Sequence, residues 1–257
     1  MVDEVKPPYP TFPSSEFKFH IQDIIQGNIP GYTYTPIHGR ATDVSTVNYN
    51  PVWDGNLSYN YPATARTMQL SSTDARDTGT GIGARTVLVE GLNANFDPIS
   101  EILTLNGLTP VTTTKSYLRM YSIKCQSYGT NNANYGKITL GFGTVTAGNN
   151  SLPVSIAPPS QLFSQQAVYT VPRGYALISY AYNYAASATK EINIRLFIHP
   201  NALTGAVSIL SNQIITLESQ PTTFYEESDI EWQVISTSGN TAVGIDIQAV
   251  LVKNEFL

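Results

Sequence analysis

The sequence predicts an all-β protein, an antiparallel jelly-roll-like β-sandwich with an extended proline-rich N-terminal arm. Three observations predict it. Short runs of alternating apolar and polar residues recur along the chain, separated by turn-formers such as Pro172-Arg173-Gly174 and Ser238-Gly239-Asn240. No stretch carries the periodicity of a long helix. Hydrophobic residues make up 42% of the chain, enough for the packed core such a sandwich needs. Many strands at short spacing argue for a sandwich or jelly roll.

Residues 1–16 contain Pro7, Pro8, Pro10 and Pro13, which exclude helix and sheet and leave an extended arm. Phe17, Phe19 and Ile21 alternate as a strand would, ahead of a short helical turn at Asp23–Gln26. Residues 27–66 are rich in Gly, Pro, Asn and Tyr and read as loops and short strands anchored by Trp53. Residues 17–66 together are expected to form a loop-rich docking segment, and residues 67–257 the sandwich.

Within that sandwich, strands are expected at Thr67–Ser71, Arg85–Glu90, Ile99–Asn106, Pro110–Thr114, Tyr117–Ser127 and Gly136–Gly143. Ser72–Gly83 reads as a polar, Gly-rich loop, and Gly91–Pro98 and Gly129–Asn134 read as turns. The last third repeats the habit at Ala167–Val171, Tyr175–Tyr184, Lys190–Ile198, Gln213–Leu217, Thr222–Glu226, Asp229–Thr237 and Thr241–Val252. Leu162–Gln166 and Asn201–Val207 are candidates for single helical turns. The halves 67–145 and 165–253 are candidate partner sheets of one sandwich.

Charged residues make up only 13% of the chain, about half the usual share, and Thr, Ser, Asn, Gln and Tyr replace them. Such a surface repels neighbours weakly and suits lasting contact with other subunits. The net charge is −5 and no Lys/Arg cluster occurs, which argues against direct nucleic-acid binding. One cysteine, Cys125, leaves no intrachain disulfide and fits folding in a reducing cytoplasm. No apolar run is long enough for a membrane span, and the N-terminus does not read as a signal peptide.

Motifs for chemistry are weak. Gly79-x-Gly81-x-x-Ala84 fits the loose dinucleotide fingerprint, but it leads into a strand where that motif needs a helix. The acids Glu218, Glu226, Glu227, Asp229 and Glu231 are dense enough to suggest acid–base work or Ca²⁺, but they alternate as on a solvated edge strand, and no Ca²⁺-binding loop is present. His20, His38 and His199 have no metal-ligand spacing. Cys125 shares a face with Tyr121 and Ile123 and reads as a buried structural thiol. No catalytic residue, metal or cofactor is expected.

Tyrosine is the strongest compositional signal. Tyr32, Tyr34, Tyr49, Tyr59 and Tyr61 crowd the loop-rich part beside Trp53, while Tyr180, Tyr182 and Tyr184 are expected to share one strand face. With Tyr9 and Phe12 of the arm, these are the candidate interface residues. A glycan-binding shelf and ordinary sandwich packing are the alternative readings of the same rings.

Three stretches taken in order carry a resemblance. They are GTGIGARTVLVEGLNANFDPISEILTLNGLTPVTTTKSYLRM (79–120), YGKITLGFG (135–143) and YTVPRGYALISYAYNYAASATKEINIRLFIHP (169–200), with FYEESDIEWQVIS and TAVGIDIQAVLV following. This order resembles virion structural proteins of tailed bacteriophages, especially those of marine bacteria and cyanobacteria, over roughly residues 45–253. The resemblance implies a particle component, either a capsid decoration or cement protein or a tail or baseplate part, and it carries over no catalytic residue. The expected partners are other virion subunits, the major capsid protein or tail proteins, with homo-oligomers and a trimer as first guess. The expected location is the virion, after synthesis in the host cytoplasm. A host-contact protein binding glycans is the alternative, and a polysaccharide hydrolase on a β scaffold the remote one.

Overall fold

The computed structural model describes residues 21–187, 191–199, 207–210, 215–237 and 241–257, with backbone only for 207–210 and 215–220. In chain order the strands are β1 (Tyr32–Tyr34), β2 (Ile37–Ala41), β3 (Asn50–Pro51), β4 (Gln69–Ser72), β5 (Ala84–Leu92), β6 (Pro98–Thr104), β7 (Val111–Thr112), β8 (Arg119–Tyr128) and β9 (Ile138–Thr146). They continue with β10 (Asn149–Ala157), β11 (Val168–Thr170), β12 (Tyr175–Ala186), β13 (Glu191–His199), β14 (Val207–Leu210), β15 (Ile215–Phe224), β16 (Asp229–Ser236) and β17 (Val243–Lys253). Every pairing between them is antiparallel.

The strands outside β4–β10 pair as a long hairpin folded over on itself. β2 lies beside β17, β3 and β11 beside β16, β12 beside β15, and β13 beside β14. This nesting puts β1/β2, β17, β12 and β15 in one sheet and β3/β11, β16, β13 and β14 in the other. That is jelly-roll pairing across two sheets. The inner faces meet in one core. Ile37, Leu177, Ile245 and Ile247 come from the first sheet, and Tyr169, Ile192, Ile194, Trp232 and Val234 from the second. Each such buried aliphatic side chain contributes about 1.5–3 kcal/mol of burial free energy. The outer face of the first sheet is closed by the helical residues 21–25 and the C-terminal turn, where Ile24 packs on Val250 and Val252 beside Phe256. Gly31 is needed there, since a Cβ would lie 2.3 Å from the Phe256 ring.

β3 and β11 are two parts of a single strand. Val52 N donates to Trp232 O (2.9 Å), Trp232 N to Ala167 O (3.0 Å), and Ala167 N to Val52 O (2.8 Å). The strand is interrupted between Val52 and Ala167, and residues 53–166 leave and return at that point. They form an inserted module with two sheets, β10-β9-β4-β7 and β6-β5-β8. Its own core includes Leu70, Val87, Val89, Ile123, Ile138, Leu140 and Ile156.

Several expectations change. The division at residue 66 does not follow the packing, because β1–β3 belong to the jelly roll, whose core also takes Ile37, Ala41 and Val44. The halves 67–145 and 165–253 are not partner sheets, since residues up to Ala157 fill the separate core of the insertion. Ile21 is helical, not extended. Leu162–Gln166 holds bridges to Lys124 and Trp53 in place of a helical turn. The expected arm, with Tyr9 and Phe12, lies outside the described residues, as do His20 and most of Asn201–Val207.

Candidate functional site

The two modules meet on the outer face of the second sheet. Side chains alternate along a strand, so β13 presents Arg195, Phe197 and His199 outward, in register with Gln233, Glu231 and Asp229 of β16. Tyr49 lies over the Arg195 end, and segments of the insertion over the His199 end. The result is a continuous ladder of rings and cations. Arg195 stacks on Tyr49 (4.1 Å) and reaches Phe197 (5.4 Å). Phe197 meets His199 edge-on (4.7 Å), and His199 meets Tyr61 (5.0 Å). Arg119 covers Tyr61 (4.9 Å) and approaches Phe96 (5.9 Å). Tyr61 continues inward through Tyr59 (4.8 Å) to Trp53 (5.3 Å), at the root of the insertion.

A buried carboxylate must be matched by donors, and both acids under the ladder are. Arg119 grips Asp229 through Nε and Nη2, each at 2.7 Å, and Thr170 Oγ1 donates to the same carboxylate (2.6 Å). Glu231 takes His199 Nε2 (2.9 Å) and Gln233 Nε2 (2.5 Å). Burial works against the Arg119 charge, but the pair with Asp229 outweighs it and holds the guanidinium above its ordinary range. Burial first, then the charges of Glu231 and Asp229, push the Tyr61 phenol well up; its Oη lies outside hydrogen-bonding geometry to Glu231. A second contact reinforces the joint. Tyr121 of β8 donates to Thr170 O (2.7 Å) and stacks on Tyr169 (4.7 Å, 11° between planes).

The expected solvated edge strand for the acids is therefore corrected. β16 lies inside its sheet, Glu231 is buried, and Asp229 and Glu231 share one face because they are two residues apart. Glu226 accepts from Gly174 N (2.6 Å) and Glu227 from Arg173 Nε (3.0 Å) in an exposed turn. The Glu218 side chain is outside the described set.

The candidate interface residues separate into groups. Tyr182 and Tyr184 stack inside the jelly-roll core, 6.4 Å apart, and are unavailable to a partner. Tyr180 does not share their face, because a bulge between Ser179 and Ala181 turns it to the outer side. Trp53 and Tyr59 are buried in the insertion core, with Trp53 Nε1 donating to Leu57 O (2.6 Å). Tyr32 and Tyr34 pack half-buried on the outer face of the first sheet; Tyr34 bonds Gln248 and Tyr32 donates to Phe256 O (3.3 Å). Tyr49 and Tyr61 stand in the ladder. Sequence reasoning missed Arg119, Arg195, Phe197 and the role of His199. The alternation of Arg195, Phe197 and His199 was visible, but their partners lie on distant segments.

Elsewhere, Asp77 accepts from Ser72 Oγ, Ala84 N, Tyr135 N and Gly136 N at 2.6–3.0 Å and ties the Gly-rich loop to β5. That loop enters a strand, so no helix N-terminus faces it. His38 pairs with Asp246 (2.7 Å). A cleft of about 740 Å³ beside the insertion root is lined by Asp43, Asn48, Asn56, Asn60 and Ser151, among others. Among the described residues, no group of three or more His, Cys, Asp and Glu is arranged to hold a metal ion, and no helix is long and apolar enough to cross a membrane.

No family model matches the chain, and no curated protein does. Solved structures give slight likenesses. Infectious bursal disease virus Gt strain aligns with 91% of this chain and 76% of its own at 10% identity, with a TM-score of 0.19. The VP2 subviral particle of the same virus aligns with 92% and 78% at 10% identity and 0.19. Likeness at this level carries nothing about fold or function.

Proposed function

We propose that this chain is a structural subunit of a virus particle, a decoration or cement protein that acts by burying surface against other virion subunits. The observation that carries the reading is a jelly roll with an inserted module in a chain with only 13% charged residues. Jelly rolls serve capsids, lectins and enzymes alike, so the fold is only an analogy. The low charge favours association over free solution. The ordered sequence resemblance to tailed-phage virion proteins points the same way. In this reading the acids of the outer sheet hold the two modules together and take no part in a reaction.

The test is the copy number per purified particle, together with deletion of residues 1–16. Hundreds of copies, and a folded deletion variant that no longer joins particles, are expected. About a dozen copies would move the protein to the tail, and undiminished incorporation would remove the arm's role. The cleft lined by Asn48, Asn56, Asn60 and Ser151 favours a second reading, contact with host glycans, because amides and hydroxyls suit sugars. Glycan-array binding lost in Asn48→Ala would support it.

A further inference from the structure

Arg195, in the ladder, is paired differently from most of the chain's arginines. Arg40, Arg76, Arg119 and Arg173 each hold a carboxylate. Arg195 donates Nε to the neutral amide of Gln233 (2.8 Å), and no described carboxylate pairs with it. Among the described residues Arg66 and Arg85 also have no acid partner, but neither stands between two aromatic rings as Arg195 does between Tyr49 and Phe197. A half-buried guanidinium with no carboxylate on its fork among the described residues and a ring on either side has the makeup of an interface hot spot, and it matches a carboxylate geometrically.

We propose that this shelf, Tyr49–Arg195–Phe197, receives the acidic N-terminal segment of a second copy of the chain; the inference rests on the assembly reading above. Two facts select this occupant. Residues 1–16 carry Asp3, Glu4 and Glu16 against Lys6, with Tyr9 and Phe12 following the first acids, so charge and aromatic area both complement the shelf. The described chain also begins at Ile21 on the outer face of the first sheet, on the opposite side of the sandwich from Arg195. From Asp3 to Ile21 an extended chain spans at most about 60 Å, enough to cross to an adjacent subunit. Donor and receiver surfaces differ, so the contact is either exchanged reciprocally in a dimer or passed head-to-tail around a ring whose rotation closes.

Charge exchange tests it on the full chain, read by native mass spectrometry and by incorporation into particles. Arg195→Glu, Arg195→Met and the Asp3→Arg/Glu4→Arg pair are each expected to lower self-association at least tenfold, compared on chains that circular dichroism shows to be folded; the Arg195 variants also lose the bond to Gln233 and should melt somewhat earlier. Combining Arg195→Glu with Asp3→Arg/Glu4→Arg is expected to restore it. Variants that associate like the wild type, or a combined variant that does not recover, overturn the pairing and leave the assembly reading intact. An Arg195→Glu chain that self-associates normally but no longer joins particles overturns the choice of occupant and assigns the shelf to another virion subunit. A wild-type chain that neither self-associates nor joins particles overturns the assembly reading itself.

Discussion

Single residues divide by whether their chemistry is local. Cys125 was legible from the sequence because its neighbours at alternate positions are apolar. It is buried, and burial first, then the charge of Asp77, pushes its thiol up to about 12. The thiolate needed for alkylation is therefore scarce at pH 8. Iodoacetamide should leave the folded protein unlabelled for hours and label it within minutes in guanidinium; fast native labelling would contradict the burial. Arg119 and Asp229 were not legible as a pair, because 110 residues separate them and only the return of the insertion brings them together. Their side chains are 14% and 13% exposed. Asp229→Asn leaves the guanidinium buried without its counter-charge and should cost about 3 kcal/mol in urea unfolding. Adding Arg119→Met should recover part of that loss, since the uncompensated charge is then gone. A single variant as stable as the wild type would show that the pair holds nothing.

At the scale of elements, strands with regular alternation were readable and irregular ones were not. β5, β8, β9, β12, β13, β16 and β17 fall where alternation placed them, within a few residues. β1, β2 and β3 are too short to show a period, and they gain their place from pairing with β17 and β16. β10 escaped notice because Pro153 and two register shifts break its pattern. The bulge in β12 had the same effect on side-chain direction and separated Tyr180 from Tyr182. The turn between β9 and β10 uses Ala147 and Gly148, both at positive φ (46° and 74°), as a two-residue hairpin loop requires. A Cβ on Gly148 would lie 1.9 Å from Ser72 O, whereas at Gly174 (φ 80°) nothing lies within 4 Å. Gly174→Ala should thus cost only the left-handed strain, about 1 kcal/mol. Gly148→Ala should add overpacking, for about 3 kcal/mol in all. Equal denaturation midpoints for the two variants would show that the β9–β10 turn does not press on β4.

For the whole molecule, the sandwich class was legible but its division was not, because an interruption inside one strand leaves no local mark. Trp53 and Gln166 flank the break and look like ordinary loop residues in sequence. In space they pair as a bridge, and Asp54 N donates to Gln165 O (3.2 Å). The two ends of the insertion are thus adjacent, as the termini of an independent domain usually are. The insertion also holds its own core, and among the described residues its links to the jelly roll are the ladder, the Tyr121 contact, the Arg173 N to Phe96 O bond (3.1 Å), the Arg40–Asp54 ion pair (2.7 Å), the bonds between Thr42 and the Asn56 amide, and neighbours of the broken strand. Residues 53–166 expressed alone should therefore fold, giving dispersed amide resonances and a cooperative thermal transition. Their stability should fall below that of the intact chain, because Arg119 and Tyr61 lose Asp229 and His199. Joining Val52 to Ala167 through a short Gly/Ser linker should likewise leave a jelly roll, since those residues are already hydrogen-bonded and the strand needs only continuity. If both pieces are unfolded by amide dispersion, the ladder is part of a shared core and the protein is one cooperative unit. If the insertion folds and the trimmed jelly roll does not, the outer sheet depends on its cover, as the burial of Glu231 beneath the insertion would then explain.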